Sequence, residues 1–408
     1  MTGPSRRGVL GGLAGATVAA GGAAAATALS ALQAGDFAVP EGTVLLNSAG
    51  THPLPRAALQ AMTDYATAKS IGNFAPGFRL FATIEPARKL FAELINADPG
   101  EIALVQSTLA GENMVVSGLR LPGSQGNVVT DALHYDGSLY LYRSLERTGP
   151  QVRIAPTRDH AVTPEELGRL IDEHTRLVAV SLVSSVNGHV HDLAAICEIA
   201  HAKGALVYAD IIQAAGAMPV DVKASKVDFA ACGSYKWLMG DCGAGFLYVR
   251  KDLLSSAISR PAWGYMQCAD LDQDAFAPAA PSGWPVRFTV KDDAAGFFEI
   301  GTPAFSTLVS LEASLTLIHA AGVSAISDHI RGLTEHLRAG LLKRGYGLVT
   351  PEGPAQMIAF RADAAQDLRK RLLSRKINVK ADHDLIRISP AVFNTHADIE
   401  RLLSALPA

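Results

Sequence analysis

The sequence predicts an α/β fold: a mainly parallel sheet flanked by helices, with a smaller α+β domain at the C-terminal end. Three observations predict it. Apolar runs at 205–209, 227–232 and 245–249 are continuous and of strand length, as strands buried on both faces require. Stretches with helical apolar spacing alternate with such runs, for example 83–95, where Leu90, Phe91, Leu94 and Ile95 share one side. Beyond about Thr307 the pattern changes to amphipathic helices at 311–321 and 323–342 with few strands. This divides the chain into a large unit over 35–300 and a small one over 301–408.

The first 34 residues stand apart. Ser5-Arg6-Arg7-Gly8-Val9-Leu10 precedes a Gly/Ala-rich run that lasts to about Ala31. An arginine pair before a weakly apolar segment resembles a twin-arginine signal peptide. The resemblance implies the twin-arginine translocase as a partner and a periplasmic or secreted protein. Ala26-Thr27-Ala28 offers one cleavage site, and the run is also long enough for an uncleaved anchor. Of 408 residues, 49% are hydrophobic and the formal net charge is −3. That composition fills a large core, and no basic block past the N-terminus points to nucleic acid. Cys197, Cys232, Cys242 and Cys268 show no Cys-x-x-Cys spacing, so neither zinc nor a disulfide framework is expected.

Taken in order, the chain after the signal first offers Val44-Leu45-Leu46-Asn47-Ser48-Ala49-Gly50, with Pro53 and Pro55 behind it. After the helix at 83–95, a short strand starting at Ile102 runs into Gln106-Ser107-Thr108-Leu109-Ala110-Gly111-Glu112-Asn113 and a helix. The free N–H groups and dipole of such a helix start can hold a phosphate, although Ser-Thr before a helix also serves as a plain cap. A strand at 127–130 leads to Asp131-Ala132-Leu133-His134-Tyr135-Asp136. Thr163-Pro164-Glu165-Glu166 is a capping box with Pro at the first helical position. A buried strand at 177–183 leads into Ser184-Ser185-Val186-Asn187-Gly188, and the nearby His189 and His191 lack a third ligand for a metal. Asp192 caps a helix that ends before Gly204 and buries Leu193, Ile196, Cys197 and Ala200. Residues 256–296, with Pro261, Pro278, Pro281, Pro285, Trp263, Tyr265 and Trp284, read as a long irregular stretch, either a lid or substrate wall or a bare excursion. A helix at 363–375, a strand at 385–389 and a helix at 396–406 complete the small unit.

The chemistry concentrates between Tyr208 and Arg250. Asp210 ends the first of the three apolar runs and Lys236 lies just past the second. Strand ends are where α/β sheets place ligands. An acid and an amine at successive strand ends suit pyridoxal 5'-phosphate, because a lysine holds the aldehyde as a Schiff base and an acid keeps the pyridine nitrogen protonated. Asp-x-x-Gln at 210–213, Tyr235-Lys236-Trp237, and Gly243-Ala244-Gly245-Phe246-Leu247-Tyr248 together resemble the class V aminotransferase family. These are fold-type I enzymes that include cysteine desulfurases, kynureninase and isopenicillin N epimerase. The likeness runs from about Leu45 to the C-terminus.

The resemblance implies a seven-stranded sheet and a role for each matching residue. Lys236 would carry the cofactor and move protons at Cα. Asp210 would hold the pyridine nitrogen and Gln213 the phenolic oxygen. Thr108, the Leu109 N–H, Ser234 and Tyr235 would surround the phosphate, with Asn113 matching the same pattern. His134, with Tyr135 beside it, would stack on the pyridine ring. Ser185 stands where many relatives carry Asn beside the phenolic oxygen. Gly301-Thr302-Pro303 would reach the phosphate of a neighbouring subunit, which implies a homodimer with shared active sites. Arg387, within Ile386-Arg387-Ile388-Ser389, would clamp the α-carboxylate of a small amino-acid or peptide substrate as a bidentate donor. Transamination, epimerisation and β-elimination share these parts. Cysteine desulfurases use a nucleophilic Cys in the C-terminal region, and no Cys follows Cys268.

Overall fold

A computed structural model describes residues 32–72, 80–254, 256–273 and 284–407. The arginine pair, the Gly/Ala run, Pro278 and Pro281 lie outside the described residues.

Strands form where the apolar runs predict them. In chain order they are β1 (Val44–Leu45), β2 (Ile102–Val105), β3 (Asn127–Asp131), β4 (Gln151–Ala155), β5 (Thr175–Ser181), β6 (Leu206–Asp210), β7 (Phe229–Gly233), β8 (Gly245–Val249), β9 (Cys268–Gln273), β10 (Val286–Val290), β11 (Ile358–Arg361), β12 (Ile377–Asn378), β13 (Lys380–Asp382) and β14 (Leu385–Ile388). A seven-stranded sheet has the order β2-β8-β7-β6-β5-β3-β4. Within it β8 alone runs against its neighbours. β2, β7 and β8 are buried along their whole length, and β6 nearly so, because helices cover both faces. The edge strand β4 is half-exposed.

Two cores flank this sheet. One gathers the helices Ile84–Leu94, Leu193–His201 and Phe305–Ala321. The other holds Thr108–Gly118 and Asp136–Leu145. Phe305–Ala321 packs against Arg56–Ser70 and Ile84–Leu94. Among the described residues no single helix is long and apolar enough to cross a membrane.

The C-terminal part has its own core around a three-stranded antiparallel sheet, β11-β14-β13, covered by Val323–Lys343, Ala365–Ser374 and His396–Ala405. β1 pairs in parallel with β12, so the N-terminal segment is stitched to this part. The 256–296 stretch is less irregular than its prolines suggest. β9 and β10 pair as an antiparallel ribbon, with Leu271 opposite Phe288 and an Asp272–Arg287 ion pair at 2.6 Å. A short helix, Ala294–Phe298, follows. The ribbon escapes a search for buried runs because both of its faces are largely exposed.

Candidate active site

The turns after β2, β3, β5, β6 and β7 meet at one edge of the large sheet, where parallel strands present their carboxyl ends. Asp210 is the last residue of β6, in register with Ser181 of β5 and Ala231 of β7. It is buried, and its Oδ1 accepts the Ile212 N–H at 2.9 Å. Burial pushes its carboxyl up to about 6, against the pull of that N–H and of the Lys236 charge. Lys236 stands in the turn after β7. Burial brings its ammonium down to about 8, with Asp210 opposing and Arg387 adding to the effect. An amine that sheds its proton this readily is suited to attack a carbonyl and to shuttle protons.

Gln213 fixes the turn behind Asp210. Its Nε2 donates to the Ala49 carbonyl at 3.0 Å and its Oε1 accepts the Trp237 indole N–H at 2.8 Å. The second Gln213 N–H remains for a ligand. Gly216, at φ +92°, lets this turn approach the next: a Cβ there would lie 2.3 Å from the Trp237 carbonyl oxygen.

Ser107 caps the helix Thr108–Gly118 by accepting the Ala110 N–H at 3.1 Å. Thr108 Oγ1 accepts the Gly233 N–H at 2.9 Å and ties this helix to the end of β7. The Thr108 and Leu109 N–H groups are left for an anion. Asn113 donates to the Leu109 carbonyl at 2.8 Å instead of reaching the cavity. Ser234 is enclosed, and its hydroxyl meets the Ala244 and Asp241 carbonyls, so it braces the 241–244 loop and faces no ligand. The half-buried Tyr235 stays beside Lys236, whose Nζ is 5.7 Å from the Tyr235 ring centre.

A cavity of about 290 Å³ opens over this edge, lined on one side by Tyr135, Ser185 and Val186 and on the other by Lys380, Leu385 and Arg387. Arg387 on β14 is 5% exposed, which excludes an ordinary solvent-paired strand arginine. Its Nη1 donates to the Ser185 carbonyl and its Nη2 lies 3.4 Å from Asn47 Oδ1, while its Nε has no partner. No carboxylate pairs with it among the described residues. Burial brings the guanidinium down to about 10, with Asp382 opposing. A buried cation with a spare donor beside a cavity is built to receive an anion. Ser185 contributes to this clamp through its main chain. Asn47 also belongs to it, although its segment stands out in the sequence without any role for this side chain.

His134 sits differently from the expected stacking ring. Its ring is enclosed, with Nδ1 2.9 Å from Ser181 Oγ and Nε2 3.1 Å from Glu112 Oε1. The reason is Glu112, a buried carboxylate that draws every nearby donor, including the Tyr142 hydroxyl at 2.7 Å and the Ser138 hydroxyl. His134 and Tyr135 both line the cavity, but the His134 side chain is fully enclosed, whereas Tyr135, 41% exposed, is the ring of this turn that stands open to it. His191 lies 3.2 Å from Asp131 and packs on His189, and no cluster able to hold a metal occurs among the described residues.

The match that decides the family spans residues 44–402, which fit the model of the aminotransferase class V family. The chain belongs to that family. It is 31% identical over 330 residues to an uncharacterized aminotransferase, YcbU, of Bacillus subtilis, covering 79% of this chain and 83% of that protein. It is 32% identical over 301 residues to a probable cysteine desulfurase of Methanothermobacter thermautotrophicus, covering 72% of each chain. Among solved structures, the cysteine desulfurase CsdA of Escherichia coli superposes with a TM-score of 0.79 at 26% identity, over 91% of this chain and 96% of that one. A C-DES variant with glycine covalently linked to its PLP cofactor gives 0.79 at 22% identity and shares the fold. This class V chain is a pyridoxal-phosphate-dependent enzyme. Its residues fit the cofactor: a buried acid, a buried amine of lowered basicity and a helix start with free N–H groups share one edge of the sheet.

Proposed function

We propose that the enzyme acts at Cα of an amino acid, or of a peptide with a free α-carboxylate, and that its reaction is transamination. The observation that carries this reading is Arg387, a buried guanidinium without a carboxylate partner among the described residues, which lines a small cavity opposite Tyr135 and whose charge is felt by Lys236. When bound, pyridoxal phosphate supplies an electron sink for a bond broken at Cα. This chain's residues do the rest. Lys236 holds the cofactor and then takes and returns the Cα proton. Asp210 keeps the pyridine nitrogen protonated, and Gln213 offers its spare N–H to the phenolic oxygen. The Thr108 and Leu109 N–H groups receive the phosphate, and Tyr135 covers the ring. Arg387, steadied by Asn47 and the Ser185 carbonyl, fixes the α-carboxylate and so aims the Cα–H bond at Lys236.

Relatives named as cysteine desulfurases make sulfur removal the second reading. The absence of any Cys between Cys268 and Ala408 weighs against it by the family's usual route. The arginine pair before the Gly/Ala run supports twin-arginine export to the periplasm or beyond, and Arg6→Lys with Arg7→Lys should then leave the protein in the cytoplasmic fraction. Unchanged export of that variant would remove the assignment.

The reaction is tested by incubating the loaded enzyme with a panel of amino acids in deuterated water. Transamination gives a keto acid in an amount limited to one per site until an acceptor keto acid is added. Inverted amino acid carrying deuterium at Cα, without keto acid, would make it an epimerase. Keto acid formed continuously with a leaving group and no acceptor would make it a lyase. Arg387→Lys keeps the charge but loses the forked donor, and should weaken substrate binding by about 1.5–3 kcal/mol.

A further inference from the structure

Glu112 has no part in the chemistry above, yet it is among the most deeply buried charges in the chain. It projects from the helix Thr108–Gly118 at 0% exposure and accepts from Ser138, Tyr142 and His134. His134 continues the chain to Ser181 Oγ, and Ser181 lies directly beside Asp210 across the β5–β6 pairing. Tyr208 shares the face of β6 that carries Asp210, two residues away, and its buried hydroxyl has no partner. The wall behind Asp210 is thus a line of polar groups in an otherwise apolar core. A Glu, a His and four hydroxyl side chains need a reason to be buried there.

We propose that Glu112, His134 and Ser181 form a positioning chain that keeps Asp210 ionised toward the cofactor's pyridine nitrogen. Tyr135 alone then supplies the covering ring. Glu112 can only accept, so His134 must donate from Nε2, which fixes its tautomer or its charge. Burial, the largest single effect, lowers the His134 pKa, but Glu112, Asp131 and Asp210 together outweigh it and raise it. Asp131 is shared with His191 at 3.2 Å. The charges facing Asp210 are Lys236 and His134, which favour its ionised form, and Glu112, which opposes it. A protonated His134 therefore offsets the field of Glu112 and part of the burial that drives Asp210 toward neutrality. The ring that the sequence pattern assigns to the cofactor's face serves in this chain from behind the acid.

The proposal rests on the cofactor and not on the choice of reaction, and the test reads only the bound cofactor. The absorption of the loaded protein is titrated against pH, and cofactor affinity is measured separately. The variants are His134→Gln, Glu112→Gln, their combination, Tyr135→Phe and Tyr135→Ala. His134→Gln keeps an amide that can bond both neighbours but removes the charge. Its titration midpoint should move by about one pH unit, the scale of losing one close charge in a buried site. The combined variant should not show the sum of the single shifts, because the two residues act as one unit. Tyr135→Ala should weaken cofactor binding about tenfold with the midpoint unchanged, and Tyr135→Phe should restore it. If Glu112→Gln fails to fold, His134→Gln and the Tyr135 pair still decide. An unmoved midpoint in His134→Gln with loosened cofactor would return the stacking role to His134 and overturn the proposal. An unmoved midpoint with unchanged affinity would reduce the chain to scaffolding and overturn it equally.

Discussion

At the scale of single residues, Asp210 and Lys236 are both held against their preferred charge states. The folded protein keeps a proton on Asp210 up to about pH 6, whereas the ordinary value is 3.8. The folded state is therefore the greater proton binder between these values, and its stability falls as pH rises through that window. Above it, the full cost of an ionised, buried Asp210 is present. Asp210→Asn keeps the acceptor for the Ile212 N–H and removes the charge. In the cofactor-free protein it should raise stability by roughly 1–2 kcal/mol at pH 7 in a denaturant titration, while the loaded enzyme loses turnover. The gain should shrink as pH falls toward 4. A gain that is the same at pH 4 and pH 7 would show that desolvation of the Asp210 charge is not its source. Lys236 adds to the same strain, because its folded value near 8 lies below the ordinary 10.5, so the ammonium that still predominates at neutral pH is held at a cost.

At the scale of elements, what could be read in the sequence depended on burial. β6, β7 and β8 are continuous apolar runs because both of their faces are covered, and their ends named Asp210 and Lys236 directly. β4 and the β9–β10 ribbon were not legible, since exposed strands carry Gln151, Arg153, Asp270, Asp272 and Arg287 and break the apolar signal. Caps were legible where chemistry is local. The Thr163–Glu166 box forms as read, with Pro164 at the first helical position. Long-range polar contacts were not. A Glu at the fifth position of the helix Thr108–Gly118 reads as a solvated residue, and only the packing of the helix Asp136–Leu145 brings Ser138 and Tyr142 to it. His134 was therefore found by pattern but its surroundings were not. Arg387 was likewise found by pattern, while the Ser185 carbonyl and Asn47 that hold it lie 202 and 340 residues away in the chain.

At the scale of the whole molecule, two long-range anchors set where the site opens. The 46–52 segment joins the parts: the Ala49 N–H donates to Ser389 Oγ at 3.0 Å, the Ala49 carbonyl takes Gln213, and the His52 N–H donates to the Tyr235 carbonyl at 3.1 Å. The second anchor is Glu299, buried on Arg88 at 2.7 Å and on the Leu104 N–H at 2.8 Å. From this fixed post the chain turns outward, and Gly301 and Thr302 are exposed, with Thr302 Oγ1 meeting only the Tyr265 hydroxyl at 2.7 Å. An anchored loop that presents a Gly-Thr pair to solvent suits a contact with a second subunit. We therefore propose an active dimer in which Thr302 serves the neighbour. Thr302→Asp would set a carboxylate against that phosphate and should abolish cofactor retention without unfolding an exposed loop. Lys236→Ala should be inactive for a different reason. Mixed under subunit exchange, the two inactive proteins should regain activity, because one site of each mixed dimer combines an intact Lys236 with an intact Thr302. Failure to regain activity, together with full activity of the unaltered protein as a monomer by sedimentation, would place both residues in the same subunit's site and end the shared-site reading.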